Sequence, residues 1–408
     1  MAAIRRDLEP ELRQRAARSP VVVLTGPRQS GKTTLVRKVF GSLPYRNLEA
    51  PDLRERALSD PKGFLSSLPD GAILDEIQRA PELLSYVQVD VDAHPVPGRW
   101  ILTGSQNLLL LSSVAQSLAG RAALLELLPL SAAELRRGKW LAKNVFEVMF
   151  RGGYPAPYQR AERHRDWLAD YVRTYVERDV RQVLAVGDLL AFQTFLRLAA
   201  TRTGQLVNLS QLGADAGVSH NTAKSWLGIL EASYIVTRVA PFFRNVGKRL
   251  VKTPKLHFLD SGLACYLLGI RTPQELDAHP LRGAIFESWV VSEVCKLLRN
   301  RNAHGTLTFF RDAHGLEVDL LVERGREIVA IEAKSGQTVA VDALAPLDAL
   351  AQLLPEKIER VVAYGGDEAF TLHGARIVPY HALDALDWGE DPRPKRRAVK
   401  ARKRTAKR

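Results

Sequence analysis

Two stretches near the N-terminus hold residues whose types and spacing suit phosphate chemistry. Residues 26–34 read Gly26-Pro27-Arg28-Gln29-Ser30-Gly31-Lys32-Thr33-Thr34 and satisfy the phosphate-loop (Walker A) pattern G-x-x-x-x-G-K-[ST] at each fixed position. The glycines let the backbone curl so that successive N–H groups point at phosphate oxygens. Lys32 would reach the β- and γ-phosphates of a nucleoside triphosphate, and Thr33 would offer its hydroxyl to Mg²⁺. The second stretch is Asp75-Glu76, closing the apolar run 71–74. Asp75 would hold Mg²⁺ through water, and Glu76 would orient and polarise an attacking water. Further on, Ser105 and Gln106 end another apolar run and are candidates to sense the γ-phosphate, the alternative being a polar turn. Arg121 could place its guanidinium on a γ-phosphate, its own subunit's or a neighbour's in a homo-oligomer. Otherwise it pairs with a surface carboxylate.

These residues need a scaffold that brings strand ends together. Residues 21–24, 71–76, 100–103 and 123–127 read as short, mainly apolar strands, and the mixed run 45–49 as a second strand in chain order, separated by helical stretches such as 34–40 and 53–59. Strands alternating with helices around a phosphate loop predict a parallel, helix-flanked sheet. The chain has 408 residues, 46% apolar and 25% charged, enough for two or three domains with sizeable cores. Two cysteines, Cys265 and Cys295, make no framework, so a reducing cytoplasm is expected. No secretory leader and no membrane span is legible. The net charge is +13, but residues 393–408 alone carry ten Lys or Arg and no acid, leaving the body at +3. That tail is too polar to fold. It would attract nucleic acid, or serve solubility alone.

The GPRQSGKTT, LDEIQ, LTGSQ and SLAGR segments, in that order, resemble a large group of prokaryotic AAA+-like ATPases. In that group the core is fused to a C-terminal region long classed as of unknown function. Residues 151–155 and 175–179 fit the start of that region, and the resemblance runs from about residue 19 to about 380. It implies ATP and Mg²⁺ as ligands.

Residues 158–203 have helical periodicity, with Trp167, Leu168, Tyr171, Val172, Tyr175 and Val176 on one stripe. Residues 209–216 and 219–230 then read as two helices joined by a Gly217-Val218 turn, with Ser219 as the cap. Two strand-like runs follow, 234–239 and 255–259, with Arg244, Lys248 and Arg249 between them. This is the outline of a winged helix-turn-helix, whose second helix would enter a DNA major groove. The same fold also serves as a packing or protein-binding module.

Towards the C-terminus, Glu287 lies on a helical stretch, Asp319 on a strand, and Glu332-Ala333-Lys334 on the next strand. The set resembles the PD-(D/E)xK nuclease core. The strand's period of two puts Glu332 and Lys334 on one face. The resemblance implies that Asp319 and Glu332 ligate Mg²⁺ with Glu287 as an outer ligand. Lys334 would position water or stabilise the phosphorane charge. Alternatively, these charges alternate with apolar residues as on any half-buried strand.

The expected fold is α/β. It comprises a P-loop NTPase core with a parallel sheet (1–140), a helical and winged-helix middle (141–275), a restriction-endonuclease-like α/β domain (276–388) and a disordered basic tail (389–408). Two functions follow: a Mg²⁺-dependent ATPase associated with DNA and carrying a nuclease-like module, or a nucleotide-switched regulator of DNA or protein, of toxin–antitoxin or defence type, that cuts nothing. A small-molecule kinase is disfavoured, since no acceptor pocket is legible.

Overall fold

The computed structural model describes residues 4–105, 114, 117–159, 164–176, 188–242, 252–303, 305–325 and 327–388. Strand β1 (Val21–Thr25) is central to the first sheet, and all five of its residues are buried. It is joined by β2 (Tyr45–Asn47), β3 (Ala72–Asp75), β4 (Trp100–Thr103) and β5 (Ala122–Glu126) in the order β2-β3-β4-β1-β5. Every pairing in this sheet is parallel. A parallel sheet is covered on both faces, which is why its inner strands β1, β3 and β4 read as short apolar runs, every residue buried. The period of two splits β1, β3 and β4 between two cores. Val21, Val23 and Leu74 pack on one face, and Val22, Leu24 and Ile73 on the other.

Because β1, β3 and β4 run the same way, the chain leaves all three at one edge. Leu24 pairs with Thr103, and Leu74 with Leu102. The loops that begin at Gly26, Glu76 and Gly104 therefore emerge side by side, the usual position of a ligand site in an open α/β sheet.

In the middle of the chain, the helices Leu189–Thr201, Leu209–Asp215 and His220–Ala232 share a core built on Phe192, Phe195, Trp226 and Leu227. Trp167, Leu168, Tyr171 and Val172 join that core. Ser219 caps the third helix, its hydroxyl accepting the Thr222 N–H at 3.1 Å. Then β7 (Val236–Pro241) and β8 (Lys255–Phe258) pair antiparallel, and β6 (Gln205–Leu206) adds to β8.

The C-terminal strands are β9 (Thr306–Arg311), β10 (Glu317–Arg324), β11 (Glu327–Lys334), β12 (Lys357–Tyr364), β13 (Phe370–Leu372) and β14 (Ala375–Pro379). Parallel pairing of β7 with β9, Ala240 to Thr308 and Pro241 to Phe309, joins them to the middle of the chain. One nine-stranded sheet results, ordered β13-β14-β12-β11-β10-β9-β7-β8-β6. It runs across the boundary expected at 275/276. Strand pairing over such a separation leaves no local mark in a sequence.

The helix Arg282–Arg301 ties the assembly together. It is buried along most of its 20 residues and packs against β8, β11 and β5. Gln106, residues 177–187, the basic residues Arg244, Lys248 and Arg249, and the tail 389–408 lie outside the described residues. Among the described residues, no helix is long and apolar enough to cross a membrane.

Candidate functional site

The phosphate loop leaves β1 through Gly26, whose φ of 146° lies outside the range of other residues. A Cβ there would stand 2.2 Å from the Leu127 carbonyl oxygen. Gly31, at φ 96°, is the N-cap of the helix Lys32–Val39 and aims that helix's free N–H groups into the loop. Lys32 is buried, and its Nζ donates to the carbonyls of Gly26 and Pro27, both at 2.9 Å. The ammonium thus stands across the curl of the loop, where an anion held by the loop's N–H groups would meet it.

Thr33 and Asp75 come from opposite sides of the site and touch. The Thr33 hydroxyl donates to Asp75 Oδ2 at 2.9 Å. Tyr45, at the start of β2, donates to the same oxygen at 2.6 Å, and the Thr103 hydroxyl donates to Oδ1. A hydroxyl beside a buried carboxylate, next to the lysine of a phosphate loop, is a donor set suited to Mg²⁺ bound to a triphosphate. Burial and the Asp75 carboxylate hold the Tyr45 phenol protonated, its pKa pushed up beyond the ordinary tyrosine range.

Glu76 lies one residue further, at φ 56° and ψ 46°. A left-handed conformation costs a non-glycine residue on the order of 1–2 kcal/mol. Its effect here is to turn the carboxylate out of the strand and into the cleft. Ser105 Oγ donates to Glu76 Oε2 at 3.1 Å, and the Gln78 amide donates to that oxygen and to Ser105 Oγ. The cleft has a volume of about 470 Å³, and Arg28, Gln29, Ser30, Gly31, Lys32, Thr33, Thr34 and Glu76 all line it. Of the expected site residues, Lys32, Thr33, Asp75, Glu76 and Ser105 are therefore brought together.

Arg121 is not. It immediately precedes β5, and Ala122 pairs with Val21 at the far end of β1 from Gly26. The length of a five-residue strand, roughly 15 Å, separates it from the loop. Its guanidinium is held by Asp92 in a two-point ion pair at 2.5 and 2.9 Å. A contact from Arg121 to the γ-phosphate of its own subunit is corrected accordingly: the parallel register puts the residue on the wrong edge of the sheet.

Three contributions to the cleft carry no motif. Arg6, from the segment before the first helix, donates to the Ser30 carbonyl and the Leu128 carbonyl, each at 2.7 Å, and to Glu134 at 2.9 Å. It fastens the back of the phosphate loop to the chain leaving β5. Pro155, Ala156 and Gln159 form a wall from the middle of the chain. Finally, Thr25, the residue before Gly26, shares a 2.8 Å hydrogen bond with the Tyr234 hydroxyl. Tyr234 also donates to Glu126 at 3.2 Å, and Glu126 pairs with Arg299 at 2.6 Å.

The C-terminal carboxylates also converge, but around a residue that sequence reading missed. Lys255, at the start of β8, is 1% exposed. Its Nζ pairs with Glu287 at 2.7 Å and with Glu317, and lies 3.8 Å from Asp319. Burial works against this ammonium, but Glu287, Asp319 and Glu317 outweigh it and raise its pKa. Asp319 Oδ2 accepts the Ala333 N–H at 2.8 Å, and Lys334 pairs with Glu332 Oε1 at 2.8 Å. Glu332 Oε2 is buried with no partner. Burial, and then the nearby Asp319 carboxylate, push the Glu332 pKa up to about 7. Among the described residues, no group of three His, Cys, Asp or Glu is spaced to hold a metal ion. The residues around Lys255 as folded do not fit a bound Mg²⁺.

Next to Lys255, His257 is fully buried, with Nδ1 at 3.0 Å from Ser288 Oγ and Nε2 unpartnered. Burial, and then the Lys255 charge, lower its pKa from 6.5 to about 3. The unfolded chain therefore binds a proton that the folded chain refuses. The stability this neutral ring contributes is present above pH 6.5 and is lost as pH falls towards 3. Between neutral pH and pH ~5 the loss amounts to ~2 kcal/mol. Buried carboxyls with raised pKa, Glu332 among them, shift stability the opposite way over this range. Urea unfolding should therefore show the native protein losing ~2 kcal/mol relative to His257→Gln between the two pH values.

Comparison with known proteins divides the chain in three. The AAA domain family matches residues 18–136, a domain of unknown function (DUF8612) matches 142–274, and a second (DUF4143) matches 282–383. The protein Rv2008c of Mycobacterium tuberculosis, uncharacterized, is 33% identical over 372 residues, 90% of this chain and 81% of its own length. The uncharacterized protein Mb2031c of Mycobacterium bovis matches to the same extent. Among solved structures, the Walker-type ATPase PABY2304 of Pyrococcus abyssi aligns with 64% of this chain and 94% of its own, at 16% identity and a TM-score of 0.44. The RuvB Holliday junction branch migration motor of Thermotoga maritima aligns with 57% of this chain and 87% of its own, at 20% identity and a TM-score of 0.24.

Proposed function

We propose a function from this premise: the chain belongs to the family of the mycobacterial proteins Rv2008c and Mb2031c, and its first domain is a P-loop ATPase domain. The protein hydrolyses ATP with Mg²⁺ and works in association with DNA. One observation carries the catalytic part. Thr33, which lines the cleft with Lys32 and Glu76, donates to Asp75 at 2.9 Å. In the working site the loop N–H groups and Lys32 bind the phosphates, and Thr33 and Asp75 hold the metal. Mg²⁺ held there would supply charge neutralisation to the triphosphate. Glu76, fixed by Ser105 and Gln78, orients the attacking water, and Ser105 links that carboxylate to the end of β4. Arg121, on the far edge, would serve only the site of a neighbouring subunit in a homo-oligomer.

Association with DNA is supported by the helix pair 209–215 and 220–232 with its strand pair, and by the ten basic residues of the tail. For the C-terminal domain two readings compete, a metal-dependent nuclease using Glu287, Asp319, Glu332 and Lys334, or an inactive nuclease fold in a nucleotide-switched regulator. The ion pairs of Lys255 with Glu287 and Glu317 favour the second. The test is phosphate release by the intact protein with Mg²⁺ and with EDTA, run beside cleavage of linear, branched and single-stranded DNA with ATP. Mg²⁺-dependent release with intact DNA is expected. No release rejects the ATPase, and cleavage lost in Glu332→Gln restores the nuclease.

A further inference from the structure

We infer that Lys255 is a resident cation of the nuclease-like domain: its ammonium takes the place of a divalent metal among Glu287, Glu317 and Asp319 and keeps metal out. This rests on the regulator reading above and names the device that makes the domain inactive.

The argument is one of charge and access. Glu287 comes from the long buried helix, Glu317 and Asp319 from β10, and Lys255 from β8. The lysine therefore reaches the cluster from the middle of the chain, through a strand locked to β7 and hence to β9. Its side chain is 2% exposed, against 17% for Asp319 and 28% for Glu317. The ammonium also lies 5.3 Å from the centre of the Phe309 ring, a second favourable contact for a cation. A dication sharing these carboxylates would stand within a few ångströms of this ammonium in a poorly screened interior. That repulsion is strong even at an effective dielectric of ~20. Metal and ammonium therefore exclude one another.

The neighbouring carboxylates point the same way. Glu287, Glu317, Asp319 and Glu332 face Lys255, Lys334 and Arg311, the last paired with Glu317 at 3.2 Å. Among the described residues, the one buried carboxylate oxygen of this cluster without a partner is Glu332 Oε2. The cluster thus offers a cation three carboxylates around Lys255 and a fourth, Glu332, with an unused oxygen. Removing the ammonium should turn the cluster into a metal site.

The experiment is Mn²⁺ titration of nucleotide-free, full-length protein, read by water-proton relaxation, for the native chain, Lys255→Met, Glu332→Gln and the double variant. Lys255→Met should gain a Mn²⁺ site at least about tenfold tighter than any in the native chain. The gain should vanish in the double variant, and Mn²⁺ should raise the melting temperature of Lys255→Met alone. Should Lys255→Met fail to fold, the native chain still decides: its Mn²⁺ titration should be the same in Glu332→Gln. Native Mn²⁺ binding that Glu332→Gln weakens overturns the inference. If DNA nonetheless stays intact, the regulator reading stands without it; if DNA is cut, both fall.

Discussion

Changing Glu76 to Gln should lower ATP turnover about 10²–10⁴-fold, the usual worth of a positioned general base, while ATP still binds. The substitution keeps size and hydrogen-bonding reach but removes the charge that polarises water. The backbone supports this choice: Glu76 is held at φ 56° although it has a Cβ, so its direction is enforced by the packing of the strand end. Ser105 and Gln78 fix one oxygen of the carboxylate and leave the other for a water. Phosphate release measured beside fluorescent-nucleotide binding separates the two effects. Turnover within a few fold of the native rate would remove Glu76 from the chemistry, and lost binding would make it a structural residue.

Lys32→Ala is expected to act one step earlier. Charge-assisted hydrogen bonds from a lysine to phosphate are worth about 1.5–3 kcal/mol, so ATP affinity should fall by roughly one to two powers of ten. Turnover should fall below detection, because the ammonium also meets charge that grows on the γ-phosphate during transfer. Lys32 Nζ is the donor to the Gly26 and Pro27 carbonyls, so the variant also frees two loop acceptors. Comparison of ADP with ATP isolates the phosphate term: the ATP loss should be the larger. Equal losses would assign Lys32 to loop shape alone.

How far such predictions could be made from the sequence differs along the chain. Lys32 and Thr33 follow their glycines directly, and a phosphate loop is set by neighbours within eight residues, so its pattern was legible. The strand ends at Asp75 and Thr103 were legible for a similar reason, since an apolar run stopping at polar residues marks an edge. That these edges adjoin depends on β4 lying between β1 and β3, which no local spacing shows. Tyr45, which holds Asp75, and Arg6, which holds the loop, look like any tyrosine and any arginine until the chain has closed.

The C-terminal carboxylates mark the limit most clearly. Their types and alternation on β10 and β11 could be read one strand at a time. Lys255 could not, for it comes from a different stretch of chain, 32 residues before Glu287, and is carried there by strand pairing. Arg121 shows the converse: its segment pointed to phosphate, but the parallel register carried it to the opposite edge. Sequence alone therefore determined the chemistry that neighbouring residues can perform, because local backbone geometry decides which groups face one way. Tertiary structure decided which charges meet, because burial and strand order bring together residues whose spacing along the chain holds no record of the contact.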